Sequence, residues 1–379
     1  MIFNCYYFVI FKGIKHKSQI IDITMMNLLM EDVQEKLRSF EEPIVTGIIS
    51  RQYLKPTKPI EIMLDDEDNH THPFTCISVD IDNIIMEYYL NKWLPLITGE
   101  KGNQTTIQDQ LLLELIACRI YYGKELAELK YQKTPNIFLE YHNRDYPLES
   151  LVENPEIEHK VIKRVRLAEK NHSNSKSKVV ELIFSDIIDL NKRVQVIYLI
   201  KKIEGLRVGY LGPDGTYASQ VSRHYFNKGT NLLPHHTHDD LFVRLDEDEL
   251  DMIVIPVKNS STGVIIEVDL DRYIPIKMVD FNVVIDLLAP IGGRLGEIKE
   301  VYSHPQAYIE AKPWLDIYLP DVQFIPTEST ISASIKVSEI GDFTKASLST
   351  HKCAEKLKLS TIAEKIAGSM TSFYILKRR

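Results

Sequence analysis

VQVIYLIKKIEGLRVGYLGPDGTY, residues 194–217, is where the chain changes character. Up to Glu204 the stretch is apolar, free of Gly and Pro, and continues a run that begins near Val179. That pattern reads as a long buried helix, with Gly205 as its C-cap. Past Gly205, RVGYL is a short apolar run closed by the turn residues GPDG. This is the signature of a strand, a tight turn and the start of a helix. The boundary between two domains is therefore expected at Gly205, with a helical domain over residues 25–205 and an α/β domain over 206–379.

Outward from the boundary, the two halves keep these characters. Upstream, Leu111–Lys130 (LLLELIACRIYYGKELAELK) contains no Pro and one Gly, and is expected to form one helix buried on several sides. A second helix is expected from Asn154 to Lys170, with Asn154 as N-cap and Pro155 in its first turn. The polar NHSNSKSK (171–178) separates it from the third, Val179–Glu204. Downstream, apolar runs such as MIVIPV and FNVVIDLL alternate with helical stretches. That alternation predicts an α/β domain with a largely parallel sheet.

Bulk properties narrow the function classes. The chain has 379 residues, 44% hydrophobic and 26% charged, which is ordinary for a globular protein of two domains. A net charge of −8 disfavours a nucleic-acid partner, while leaving room for a cationic pocket that takes an anionic substrate. Cys5, Cys76, Cys118 and Cys353 are widely spaced, which suits neither a disulfide framework nor a zinc site and points to a reducing compartment. No metal or cofactor motif is found, and no membrane span is expected. The apolar opening MIFNCYYFVIF is too short for a span and lacks a cleavage site; residues 1–24 read as a disordered or mis-assigned extension, or as an organelle-targeting segment.

The chemistry-bearing residues cluster in each half. Arg119 and Lys130 are eleven residues apart, and eleven steps of 100° return to within about 20° of the start, so one helix face carries both cations. Gln195 sits in the strongly apolar VQVIYLI, and Asn154 and Glu158 are an i, i+4 pair. Two readings stay open: structural ion pairs of the cations with Glu158 and its neighbours, or a site for an anion. In the second half, GPDGTY (212–217) supplies a Gly-rich turn and a helix N-terminus with Thr216. PVKNSSTG (256–263) puts Asn259 and Ser260 at a strand end, YSHPQA (302–307) offers Ser303, His304 and Gln306, and TSFYIL (371–376) starts with Thr371. Asn259, Ser260 and His304 could equally be caps or turn residues.

The four segments GPDGTY, PVKNSSTG, SHPQA and TSF, in this order, resemble prephenate dehydratase over essentially 206–379. The resemblance implies a two-lobed α/β fold like that of periplasmic binding proteins. Prephenate would bind in the cleft and lose water and carbon dioxide to give phenylpyruvate. It implies Thr371 as the catalytic threonine, with Thr216, Asn259, Ser260, Ser303 and Gln306 around the substrate. YYLNKWLPLIT (88–98), CRIYYGKELAELKYQ (118–132) and VQVIYLIKKIE (194–204) are similar to the all-helical chorismate mutase of the fungal and plant type. That likeness implies Arg119 and Lys130 gripping the dianion chorismate, Asn154 and Glu158 at its hydroxyl end, and Gln195 beside its ether oxygen. Three positions depart from the family patterns: Gln34 and Ser372 stand where arginines are expected, and Lys258 where a glutamate is. Pro43 is expected to kink or end the first mutase helix, Asp32–Arg51.

Together these resemblances imply an enzyme of phenylalanine synthesis joining an isomerase to a lyase, cofactor-free, cytoplasmic or in an organelle such as a plastid, and a homodimer. Known fusions end in a regulatory ACT domain; none is recognised after TSFYILKRR, so feedback of that kind is not expected. Two alternatives stand beside it: a chain with only the mutase site active, and a non-catalytic protein that binds dianions.

Overall fold

The structure, a computed structural model, describes residues 23–53, 61–64, 77–99, 105–172, 178–226 and 229–379. Cys5, Cys76 and residues 1–22 of the expected N-terminal extension lie outside them. The chain divides into two compact units, one ending at Glu204 and the other spanning Gly205–Arg379.

In the first unit all regular elements among the described residues are helical. They are α1 (Ile23–Ser39), α2 (Glu41–Tyr53), α3 (Asp82–Tyr88), a π-helical turn (Tyr89–Trp93), α4 (Leu94–Thr98), α5 (Ile107–Tyr121), α6 (Gly123–Lys133), α7 (Pro135–Asn143), α8 (Glu149–Val152), α9 (Pro155–His172) and α10 (Val179–Glu204). Helix α10 runs through the core, burying Ile183, Phe184, Ile187, Val194, Tyr198 and Leu199 against α5, α6 and α9. Its long apolar circumference is what a helix packed on several sides requires. Asp109, fully buried, accepts hydrogen bonds from Arg51 Nε (2.8 and 2.9 Å), Tyr89 Oη (2.7 Å) and Thr106 Oγ1 (2.8 Å). A buried carboxylate satisfied from three elements fixes how α2, the π turn and α5 meet. Burial, and then Asp109 itself, hold the Tyr89 phenol far above its ordinary range.

One expectation about the helices needs correction and another is met. Leu111–Lys130 is not one helix: α5 stops at Tyr121 and α6 restarts at Gly123. The cause lies on α10, where Asn191 Nδ2 donates to the carbonyls of Arg119 (3.1 Å) and Ile120 (3.0 Å). A Cβ at Gly123 would meet the Asn191 carbonyl oxygen at 2.7 Å, so only glycine allows this approach. The first helix, Asp32–Arg51 by likeness, is interrupted near Pro43 as expected. It breaks at Phe40, and Pro43 then falls in the first turn of α2, where its missing N–H costs nothing.

The second unit is built on one sheet. Its elements are β1 (Arg207–Leu211), α11 (Tyr217–Tyr225), β2 (Asn231–His235), α12 (His238–Asp246), β3 (Met252–Asn259), β4 (Gly263–Val264), β5 (Tyr273–Pro290), a 3-10 turn (Leu295–Glu297), β6 (Glu300–Ser303), α13 (Pro305–Tyr318), β7 (Gln323–Pro326), α14 (Thr330–Ile340), β8 (Lys345–Ser349), α15 (His351–Leu357) and β9 (Leu359–Arg378). The strand order is β2-β1-β3-β9-β5-β8-β6-β7, with β4 paired to β3. The outer groups β2-β1-β3 and β8-β6-β7 are parallel, as βαβ connections demand. The middle is antiparallel, because the long strands β5 and β9 pair along most of their length and each flanks an outer group. The expectation of a largely parallel sheet holds only for the outer groups. Apolar packing follows the division: one cluster gathers Leu241, Ile253 and Leu376, and another Ile285, Val301 and Leu348.

Candidate active sites

The helical unit holds a cavity of about 520 Å³ lined from α1, α2, α5, α6, α8, α9 and α10. Arg119, Lys130, Asn154, Glu158 and Gln195 all line it. Lys130 Nζ donates to the Val152 carbonyl (2.8 Å) and to Gln195 Oε1 (3.0 Å). Burial pulls its pKa down to about 8, against the opposing pull of Glu158. Arg119 is 4% exposed, lies over the Phe184 ring, and its Nε has no hydrogen-bond partner. Burial lowers its pKa to about 10; Glu41 counters this and Arg164 adds to it.

Six cationic side chains line this cavity, and their partners sort them. Arg164 grips Glu41 through Nε and Nη2 (2.7 and 2.6 Å), Lys160 pairs with Glu156 (2.6 Å), and Lys192 with Glu158 (3.3 Å) and Asp189 (3.0 Å). Arg38, Arg119 and Lys130 have no carboxylate in ion-pair range among the described residues. The structural ion pairs considered as one reading of Arg119 and Lys130 are therefore not formed, since Glu158 is taken by Lys192. A buried arginine and a half-buried lysine facing a cavity with no ion-paired carboxylate are costly unless an anion enters.

Gln195 is 2% exposed and its orientation is fixed by a relay. Asn191, anchored to the two α5 carbonyls, accepts from Gln195 Nε2 (2.9 Å), and Gln195 Oε1 accepts from Lys130. One N–H of that amide thus remains to be donated. Asn154 caps α9, its Oδ1 accepting from Ile157 N (3.1 Å), while its own N–H donates to Glu158 Oε1 (3.2 Å). Sequence reasoning missed Asn191, Arg164 and Glu41. Asn191 had one available signal, a polar residue one turn before Gln195 in an apolar helix.

In the second unit a polar cluster forms where β3, β9 and α13 meet. Asn259 Oδ1 accepts from Ser261 N (2.7 Å) and Thr262 N (3.2 Å), which aims its amide nitrogen at Ser369 Oγ (2.8 Å), Thr371 Oγ1 (3.0 Å) and Glu310 Oε1 (3.2 Å). Ser369 donates to Glu310 Oε2 (2.8 Å). Gln306 Nε2 donates to Glu310 Oε1 (3.0 Å) and Thr262 Oγ1 (2.8 Å). Of the residues singled out from sequence, Asn259, Gln306 and Thr371 are therefore brought together. Glu310, one helical turn from Gln306 and hydrogen-bonded to Asn259, Gln306 and Ser369, was not foreseen.

The others stand apart. Thr216 caps α11, accepting from Ser219 N (3.2 Å) and donating to the Leu211 carbonyl (2.8 Å), so its hydroxyl is already satisfied. The GPDGTY turn holds its own anion, Asp214, which accepts from Ser219 Oγ (2.7 Å) and Arg223 (2.9 and 3.1 Å). Ser260 laces β3 to Met370 through its N–H (2.8 Å) and Oγ (3.0 Å). Ser303 is fully buried with its Oγ unpartnered. His304 caps α13, accepting from Gln306 N (3.2 Å), and burial lowers its pKa. Lys258, Ser372 and Asp280 are register partners in one row across β3, β9 and β5. Side chains alternate along a strand, so this row lies on the face opposite Asn259 and Thr371. Ser372 donates to Asp280 at 2.6 Å.

Among the described residues, no group of three or more His, Cys, Asp or Glu could hold a metal ion, and no helix is long and apolar enough to cross a membrane. Relatives bear on these geometries. Residues 208–379 match the family model of prephenate dehydratase, and residues 103–196 that of chorismate mutase type II. A prephenate dehydratase of Lactococcus lactis subsp. cremoris is 31% identical over 182 residues, covering 45% of this chain and 63% of that protein. A bifunctional chorismate mutase/prephenate dehydratase of Aquifex aeolicus is 26% identical over 223 residues, 52% of this chain and 60% of that one. Another, from Buchnera aphidicola subsp. Baizongia pistaciae, is 25% identical over 292 residues, 73% of this chain and 74% of that one. The chain spans about three fifths of the length of the first two. The segment matching the chorismate mutase type II model precedes the one matching the prephenate dehydratase model.

Proposed function

We propose that the protein is an enzyme of phenylalanine synthesis that rearranges chorismate to prephenate in its helical unit and converts prephenate to phenylpyruvate in its α/β unit. The observation that carries the reading is buried Arg119 and half-buried Lys130, neither in an ion pair among the described residues, facing a cavity that also presents the Gln195 amide. Chorismate is a dianion, and its rearrangement is pericyclic: the ether C–O bond breaks as a C–C bond forms, with no proton or electron exchanged. The protein then has only to hold a compact conformer and stabilise charge on the parting ether oxygen. Arg119 and Lys130 supply the charge, the free N–H of Gln195 supplies the hydrogen bond, and Asn154 and Glu158 face the hydroxyl.

At the second site the ring carboxylate leaves as carbon dioxide, and its electron pair enters the ring. The ring hydroxyl leaves with one added proton as water. Thr371 accepts from Asn259, which leaves its own proton to donate to that hydroxyl. Solvent returns the proton to the threonine. The finer reading takes the helical unit as a mutase of the fungal and plant type and the α/β unit as two lobes around a cleft. It also expects a homodimer in a reducing compartment, on the strength of the family likeness and the four dispersed cysteines.

A second reading, in which only the mutase site turns over, has one observation in its favour. Glu310 puts a carboxylate into the Thr371 cluster, where a dianion must dock, while Lys258 lies on the other face of the sheet. The test is a pair of variants. Arg119→Ala should abolish prephenate formation from chorismate and leave phenylpyruvate formation from added prephenate intact; Thr371→Ala should do the reverse. Wild-type conversion of chorismate but not of added prephenate would select the second reading. Loss of neither activity in its variant would contradict the site assignments.

A further inference from the structure

Resting on the mutase reading, we infer that Arg38 is the residue that holds the substrate carboxylate at the cavity mouth, the task for which Gln34 lacks a charge. Helix α1 turns one face toward the cavity: Met30, Gln34, Leu37 and Arg38 all line it, at the spacing of adjacent helical turns. Arg38 is one turn beyond Gln34, roughly 6 Å further along the axis. The neighbouring cation does not compete, because Lys36 is absent from the lining and sits over the Phe40 ring, 5.6 Å from its centre. Arg38 is exposed and has no acidic partner among the described residues, whereas Arg164, Lys160 and Lys192 are each engaged by a carboxylate.

The charges on the wall then match a dicarboxylate. Buried Arg119 and half-buried Lys130 take one carboxylate, beside the Gln195 amide that meets the ether oxygen. The second carboxylate needs a cation that is free, reaches the same space and stays near solvent. Arg38 alone among the six lining cations meets all three conditions. Its guanidinium offers a planar fork of donors suited to two carboxylate oxygens. Being exposed, it is screened by salt more than buried Arg119.

The test uses the full chain and four variants: Arg38→Ala, Lys36→Ala as control, Gln34→Arg, and Arg38→Ala combined with Gln34→Arg. Arg38→Ala should raise the mutase KM about tenfold at low ionic strength with kcat little changed, the lower end of what a lost charged hydrogen bond costs. Lys36→Ala should leave KM alone, and adding Gln34→Arg to Arg38→Ala should recover most of the loss. The wild-type KM should climb with added salt, and the Arg38→Ala KM should climb less. An unchanged KM in Arg38→Ala, or an equal effect from Lys36→Ala, overturns the assignment. Calorimetric binding of an oxabicyclic dicarboxylic acid shaped like the transition state separates this inference from the mutase reading. Binding without turnover that weakens in Arg38→Ala keeps the Arg38 assignment and sinks the mutase reading. Folded wild-type protein that does not bind the dicarboxylate overturns both.

Discussion

Lys130 is expected to set the pH dependence of the proposed mutase site. Its pKa is pulled down to about 8 by burial, so the free enzyme carries that charge below pH 8 and loses it above. The mutase kcat/KM is therefore expected to fall as pH rises through about 8, while kcat holds to higher pH because bound dianion favours the charged lysine. A pH–rate profile checks this, and a flat kcat/KM from pH 7 to pH 10 would contradict it. Gln195 makes the complementary case. A neutral amide donates at any pH, so the Gln195→Glu variant, which must be protonated to donate, should work only toward acidic pH. Lys130, 3.0 Å from Gln195 Oε1, would hold that glutamate ionised and sharpen the effect. At Ser372 the expectation is a null result. An arginine there would meet Asp280, on the face away from Thr371, so Ser372→Arg should leave the dehydratase rate unchanged. A clear gain in rate would mean that position 372 reaches the substrate.

The elements explain why only part of the site was legible in the sequence. Helices α9 and α10 were readable because their signals are local: Asn154 and Pro155 start one, and the apolar run from Val179 defines the other. The break between α5 and α6 was not, because Gly123 alone is a weak signal and its partner Asn191 arrives from a helix distant in sequence. Gly123→Ala should force that contact apart and destabilise the unit by about 1–3 kcal/mol, as overpacking does. Denaturant unfolding measures this, and the mutase activity should drop with it, since Asn191 also holds Gln195. Strand direction was illegible for a different reason. An apolar run specifies a buried strand but not the sense of its neighbour, so the antiparallel centre built by β5 and β9 could not be read from local pattern. The same holds for Glu310, whose role is visible only once α13 lies against β9.

For the molecule as a whole, each of the two units carries its own core and its own candidate site. The product of the first proposed reaction is the substrate of the second, so the account requires both within one chain. The most direct measurement supplies purified full-length protein with chorismate alone and follows prephenate and phenylpyruvate separately over time. The account predicts that prephenate rises first and phenylpyruvate follows after a lag, both far faster than without protein. Folded protein that yields neither product would contradict it.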